Sequence, residues 1–184
     1  MSGYISDINV PLIITGGGSG IGRAIALAFA REGSAVVVAD VSGEGGNETV
    51  QLILQTGGEA FFIQCDVSKA VEVQGMIQKI TKTFGHLDYA VNNAGIAGIH
   101  KYVADYPEDI WNKVLNINLT GVWLCMKHEI SQMLSQDGGA IVNIASIAGF
   151  AAQRGASPYI ASKHGVIGLT KAAALEYAKN GYQG

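Results

Sequence analysis

Short, nearly unbroken apolar runs alternate along this chain with much longer stretches of helical periodicity, and few architectures accommodate that pattern. The runs fall at residues 12–15, 35–39, 60–65, 89–92 and 140–144, and the helical stretches at about 21–31, 45–56, 68–84, 107–135 and 158–180. A run of Val, Ile and Ala without polar alternation fits a strand buried on both faces. Strands that alternate with helices imply βαβ units, hence a parallel sheet covered by helices on both sides. The expected fold class is therefore α/β, a doubly wound Rossmann-type parallel sheet, with residues 1–184 forming one domain. Pro11 suits the start of the first strand, where a missing N–H breaks no ladder bond. Pro107 and Pro158 suit the first turns of their helices for the same reason.

The junction between the first strand and the first helix reads Thr15-Gly16-Gly17-Gly18-Ser19-Gly20-Ile21-Gly22. Glycines let a backbone approach a pyrophosphate closely, and the helix that follows offers free N–H groups at the positive end of its dipole. Glycines also make plain turns, so the context matters: a strand before, a helix after, and Asp40 closing the second strand. Asp40 lies 18 residues past Gly22, close to the spacing of about 20 expected for a carboxylate on an adenosine ribose. There it would accept from the 2′-OH of NAD and repel the 2′-phosphate of NADP. The competing reading is that Asp40 caps the turn after its strand.

A second constellation is Tyr159 and Lys163, one helical turn apart and so on one helix face. An ammonium beside a phenol favours the ionised form and makes the tyrosine a plausible general acid/base. The same spacing also arises by chance on helix surfaces.

Charge and composition exclude several classes. The net charge of −3 offers no basic field for nucleic acid. The first residues lack the charged-then-apolar order of a signal peptide, and every apolar run is interrupted well before the length of a membrane span. Cys65 and Cys125 sit in apolar segments with no CxxC or His partner and read as buried thiols of a reducing, cytoplasmic compartment. The sequons at Asn47 and Asn118 then read as chance matches. His86, His100, His128 and His164 are not grouped for a metal or a nucleophile triad. Trp111 and Trp123, inside the long fourth helical stretch, read as packing or interface residues.

With these residues in place, the chain resembles the short-chain dehydrogenase/reductase family. Residues 15–22 are similar to its TGxxxGIG segment, Asp66-Val67 to its adenine-contacting pair, and Gly85-His86-Leu87-Asp88 leading to Asn92-Asn93-Ala94-Gly95 to its GxxD…NNAG motif. Asn118-Leu119-Thr120-Gly121 is similar to its NxxG segment, residues 139–147 to the strand that delivers an active-site serine, and residues 159–163 to its YxxxK signature. Carried over, the resemblance implies a catalytic set of Asn118, Ser146, Tyr159 and Lys163. Tyr159 would exchange a proton with the substrate oxygen, and Ser146 would hydrogen-bond that oxygen. Lys163 would lower the Tyr159 pKa and hold the nicotinamide ribose, and Asn118 would hold a relay water behind Lys163. The residues implied for cofactor binding are Gly16, Gly18, Ser19, Gly20, Ile21, Gly22, Asp40, Asp66, Val67, Asn93, Ala94, Gly95, Tyr159 and Lys163. The cofactor implied is NAD, with NADP disfavoured by Asp40, and no metal is implied. Ala145 stands where the family often has a second serine; Ser146 fits better, 13 residues before Tyr159.

The resemblance further implies a small alcohol or carbonyl substrate and a homodimer or homotetramer built on helices 107–135 and 158–180. A charged fraction of 15% agrees with surface covered by other subunits. The family continues with further strands and a substrate-covering segment, whereas residues 179–184 depart from its pattern where the next strand is due. The expectation is a sheet whose fifth strand is an open edge. A competing expectation is a nucleotide-binding or interaction protein of this fold without catalysis. Substrate identity stays open, shaped by loops 96–105 and 149–157.

Overall fold

A computed structural model describes residues 10–136, 138–177 and 182–183. Six parallel strands form one sheet in the order β3-β2-β1-β4-β5-β6. They are β1 (Pro11–Thr15), β2 (Ala35–Asp40), β3 (Glu59–Gln64), β4 (Tyr89–Asn92), β5 (Gly139–Asn143) and β6 (Tyr182–Gln183). The helices are α1 (Gly20–Arg31), α2 (Gly43–Gln55), α3 (Ala70–Phe84), α4 (Glu108–Leu115), α5 (Gly121–Leu134) and α6 (Ser157–Tyr177). The order runs outward from β1 to β3, then returns to β4 on the other side of β1, which makes the β1/β4 boundary the topological switch point.

Strand alternation divides the core in two. Leu12, Ile14, Val36 and Val38 face α1 and α2, packing with Ala26, Ala30, Val50 and Ile53. Ile13 and Val37 face the other way, joining Val73, Met76 and Ile80 of α3, Val122, Cys125 and Met133 of α5, and Val166 of α6. β1 is buried on both faces throughout, as its unbroken apolar run predicts. β3 and β5 are not: residues on both of their faces are half-exposed, because these strands lie away from the centre of the sheet.

Two expectations need correction. The helix expected over 107–135 is divided, with a wide π turn at Asn116–Thr120 between α4 and α5, where the Gly121 N–H donates to the Asn116 carbonyl. The fifth strand is not an open edge, because β6 pairs with it in parallel at Gly139↔Tyr182 and Ala140↔Gln183. The last helix ends its described course at Tyr177; its expected continuation to residue 180, and the expectations for the first residues, lie outside the described residues. Both cysteines are free and buried, as read from their apolar surroundings.

Ile13 and Ile14 are fully buried on opposite faces of β1. Replacing either with Ala should lower the unfolding free energy by about 2–5 kcal/mol in denaturant titrations. Val71→Ala, at a position 82% exposed on α3, should stay within about 0.5 kcal/mol.

Candidate active site

The switch point opens into a cleft of about 360 Å³ at the carboxyl ends of the strands. Of the residues expected at a cofactor, Gly16, Ser19, Gly20, Ile21, Asp40, Asp66, Val67, Asn93, Ala94 and Gly95 line it. Gly18, Gly22, Tyr159 and Lys163, also expected there, are not among its lining residues. Gly16 and Gly20 have left-handed φ values of +65° and +51°, which glycine adopts without steric cost. A Cβ on Gly22 would collide with the Gly16 carbonyl and the Asn93 side chain, so glycine there lets α1 start directly beneath the loop. Ser19 takes the N-cap position of α1, yet no side chain caps that end and no acidic residue lies in its first turn. Free N–H groups and the positive end of the dipole therefore face the cleft. The loop, the uncapped helix and the missing Cβ atoms fit a pyrophosphate.

Asp40 caps the turn after its strand and also lines the cleft. Its Oδ1 accepts from the Ser42 N–H at 2.9 Å, the turn-capping role, and its Oδ2 accepts from the Gly18 N–H at 2.9 Å while the residue lines the cleft. A carboxylate has further lone pairs beyond these two bonds. A Cβ on Gly18 would lie 2.9 Å from Asp40 Oδ2, so glycine at 18 is what lets the carboxylate reach the loop.

Sequence reasoning missed the brace on the far side of this loop. Arg23 donates to the Gly18 carbonyl at 2.5 Å and pairs with Glu48 at 2.6 Å, while its Nε donates to Thr49 Oγ1 at 3.0 Å. The fully buried Thr49 hydroxyl lies 3.0 Å from the Gly17 carbonyl, which accepts from it. Glu48 and Thr49 lie more than 20 positions from the loop and from Arg23, and only the fold joins them. Val41, Cys65, Ile96 and Ile117, which also line the cleft, were missed too, although each is within one residue of a position singled out. Burial pushes the Cys65 thiol up to about 12, with Glu72 and Asp66 adding to the effect.

The four residues carried over as catalytic come from three elements. Asn118 sits fully buried on the π turn. Its Oδ1 accepts from the Ile96 N–H and its Nδ2 donates to the Ile96 carbonyl, both at 2.8 Å, with a second donation to Ser162 Oγ at 3.3 Å. The Ser162 hydroxyl donates to the Tyr159 carbonyl at 2.7 Å. The π turn is thereby tied to α6 at the level of Tyr159, and π turns recur at functional sites. Lys163, only 4% exposed, donates to the Ile144 carbonyl at 2.6 Å and has its Nζ 5.8 Å from the centre of the Tyr159 ring. Burial lowers its pKa. Ser146 starts the 3₁₀ turn Ile147–Gly149, its Oγ accepting from the Ala148 N–H at 3.1 Å. Gly149 of that turn packs against Ile167 and the Lys163 carbonyl, which seats the Ser146 turn on α6.

Strand order, switch-point cleft and glycine loop together define a Rossmann-type α/β domain. Residues 11–182 match the short chain dehydrogenase family, and the chain belongs to the short-chain dehydrogenase/reductase family. It is 42% identical over 170 residues to a 3beta-hydroxysteroid dehydrogenase of Mediterraneibacter gnavus, covering 92% of this chain and 61% of that protein. It is 42% identical over 173 residues to a cyclohexanol dehydrogenase of an Acinetobacter species, covering 94% and 69%. Among solved structures it is similar to an NAD+-bound xylitol dehydrogenase, with a TM-score of 0.93 and 36% identity over 95% of this chain and 67% of that one. This chain thus spans 61% of the length of the hydroxysteroid enzyme. No described helix is long and apolar enough to cross a membrane.

Gly22→Ala tests the loop geometry, because the collision it creates is with backbone. The variant should lose about 1–3 kcal/mol of stability in denaturant titrations and show increased proteolysis at residues 16–22.

Proposed function

We propose that the chain is an NAD(H)-dependent oxidoreductase that interconverts a secondary alcohol and a ketone, with Tyr159 as general acid/base. The observation that carries this reading is the buried Lys163 ammonium held 5.8 Å from the Tyr159 ring centre. As general acid/base, Tyr159 would take the alcohol proton in oxidation and return it to the oxygen of the reduced carbonyl in reduction. Ser146 Oγ accepts one hydrogen bond and keeps its own hydrogen for the substrate oxygen. Lys163 has one N–H on Ile144 and two more for ribose hydroxyls. Both amide hydrogens of Asn118 are committed, so a relay water would sit at its side-chain oxygen or on its main-chain carbonyl. The nicotinamide cofactor supplies the hydride chemistry.

Preference for NAD rests on Asp40, whose carboxylate lines the cleft while the neighbouring guanidinium of Arg23 is engaged by Glu48. Gly16, Gly18, Ser19, Gly20, Ile21 and Gly22 would surround the pyrophosphate, Asp66 and Val67 the adenine, and Asn93, Ala94 and Gly95 the middle of the cofactor. Two buried, unpaired thiols support a reducing, cytoplasmic setting. Exposed Trp123 on α5 and Leu175 on α6, with a groove of about 290 Å³ between these helices, support pairing of subunits through them. The two curated relatives carry the names of ring alcohols, so cyclohexanol and a 3β-hydroxysteroid head the substrate panel.

The first test is titration of the protein with NADH and with NADPH, followed by cofactor fluorescence. NADH should bind more tightly, and Asp40→Asn should reduce that preference by about tenfold or more, as expected for a charged hydrogen bond. Binding of neither cofactor would overturn the reading. Tyr159→Phe should lower kcat/KM on any alcohol turned over by about 10²–10⁴-fold with cofactor affinity retained; undiminished turnover would remove Tyr159 from the mechanism.

A further inference from the structure

β4 and β5 end on two asparagines, Asn92 and Asn143, that lie opposite each other in the sheet. Against them packs Glu129 of α5, fully buried. Asn92 Nδ2 donates to Glu129 Oε2 at 2.9 Å and to Asn143 Oδ1 at 3.0 Å. Asn143 Nδ2 donates to Thr170 Oγ1 at 2.9 Å and to Met126 Sδ at 3.3 Å. The Thr170 hydroxyl gives its own hydrogen to the Val166 carbonyl at 2.8 Å. Every donor in this cluster is therefore committed. Two buried oxygens of the cluster find no donor among the described residues, Asn92 Oδ1 and Glu129 Oε1, and they belong to the two groups already joined by a hydrogen bond.

An ionised carboxylate only accepts and would leave both oxygens orphaned in the interior. A carboxylic acid carries one O–H, and it pairs with a primary amide by N–H···O in one direction and O–H···O in the other. We propose that Glu129 keeps its carboxyl proton in the folded protein and donates it to Asn92 Oδ1, closing a two-bond acid–amide ring that fixes the end of β4 to α5. That single proton completes the hydrogen-bond census of the whole cluster.

The ring has consequences one residue further along each strand. Asn93 follows Asn92 and holds the Thr15 and Gly16 carbonyls through its side chain. Ile144 follows Asn143; its N–H donates to the Asn92 carbonyl at 2.9 Å and its carbonyl holds Lys163 Nζ. Glu129 is thus a positioning residue for the cleft, acting through Asn92. Burial pushes its carboxyl up to about 7, opposed by the Asn92 hydrogen bond. Asn92 of β4 bonds it directly, Asn143 of β5 and Thr170 of α6 follow in the same chain of hydrogen bonds, and Tyr177 of α6 packs against the same core as the apolar side chains of α3. The titratable group coupled to it is Cys125 on its own helix, whose thiol is raised first by burial and then by Glu129. Lys127, also on α5, lies over Trp123 instead.

The sign follows from the direction of the shift. Between the ordinary value of 4.5 and about 7 the folded chain holds a proton that the unfolded chain releases. Folding should therefore weaken by up to tenfold per pH unit across that window and level off above it. Glu129→Gln is the discriminating variant, because its amide supplies the same donor and acceptor but does not titrate. The ratio of the variant's folding constant to that of wild type should rise through pH 5, 6 and 7 and then stay level to pH 8. At pH 8 the Asn93 and Ile144 amides should exchange hydrogen several-fold more slowly in Glu129→Gln than in wild type, with no difference at pH 5. The infrared spectrum of folded wild type at pH 6 should contain a protonated-carboxyl band that Glu129→Gln lacks. A flat ratio with no such band would mean an ionised Glu129 and overturn the proposal, as would a Glu129→Gln chain that cannot fold. Equal exchange at pH 8 would overturn the positioning role. None of these readouts involves a cofactor, so they stand apart from the NAD reading.

Discussion

Where the strand order turns between β1 and β4, the two strand ends diverge, and backbone groups beyond the last ladder pair lose their partners. Buried groups of that kind must be satisfied by something else. Thr15 and Asn93 supply the substitutes: the Thr15 hydroxyl accepts from the Asn93 and Ala94 N–H groups at 3.0 and 3.1 Å, and Asn93 Nδ2 donates back to the Thr15 and Gly16 carbonyls. This crossing contact holds the cleft open at a fixed width. The glycine loop, the start of α1 and the Asp40 carboxylate are all placed relative to it.

The opposite wall is assembled on the same logic. Asn118 satisfies Ile96 after β4 has ended, and Lys163 satisfies Ile144 after β5 has ended. Asn118 and Lys163, both singled out for chemistry, thus also close gaps in the backbone hydrogen bonding. Such double use limits conservative replacement, because a substitution that spares the chemistry still leaves a buried backbone group unpaired.

What could be read in the chain beforehand tracks what each residue touches. β1 and β2 were legible almost to the residue because both faces are buried and the apolar run is continuous. β3 and β5 were read with the right place and the wrong burial, since a local run does not reveal how fully the neighbouring elements cover a strand. The π turn was hidden because Asn-Ile-Asn-Leu-Thr contains no Gly or Pro to interrupt the period. Two residues of β6 carry no periodicity at all. The cleft-lining glycines and Asp40 were legible because they lie in one contiguous motif and one strand end. The Arg23–Glu48–Thr49 brace was not, being made wholly in space. Glu129 left a faint sign, a lone carboxylate among the buried Cys125, Met126, Ile130 and Met133 of α5.

The close approach of Gly18 to Asp40 has a bearing on how this protein can change over time. A side chain at 18 would press on the Asp40 carboxylate and on the Gly46 amide of α2, so positions 18 and 40 are energetically coupled. Substitution at 18 is penalised while Asp40 is present and relieved in part once position 40 has shortened. The two changes are therefore accessible in one order only: the strand-end residue first, the loop second. A chain of this fold that carries a side chain at position 18 is therefore expected to have given up the carboxylate at position 40 beforehand.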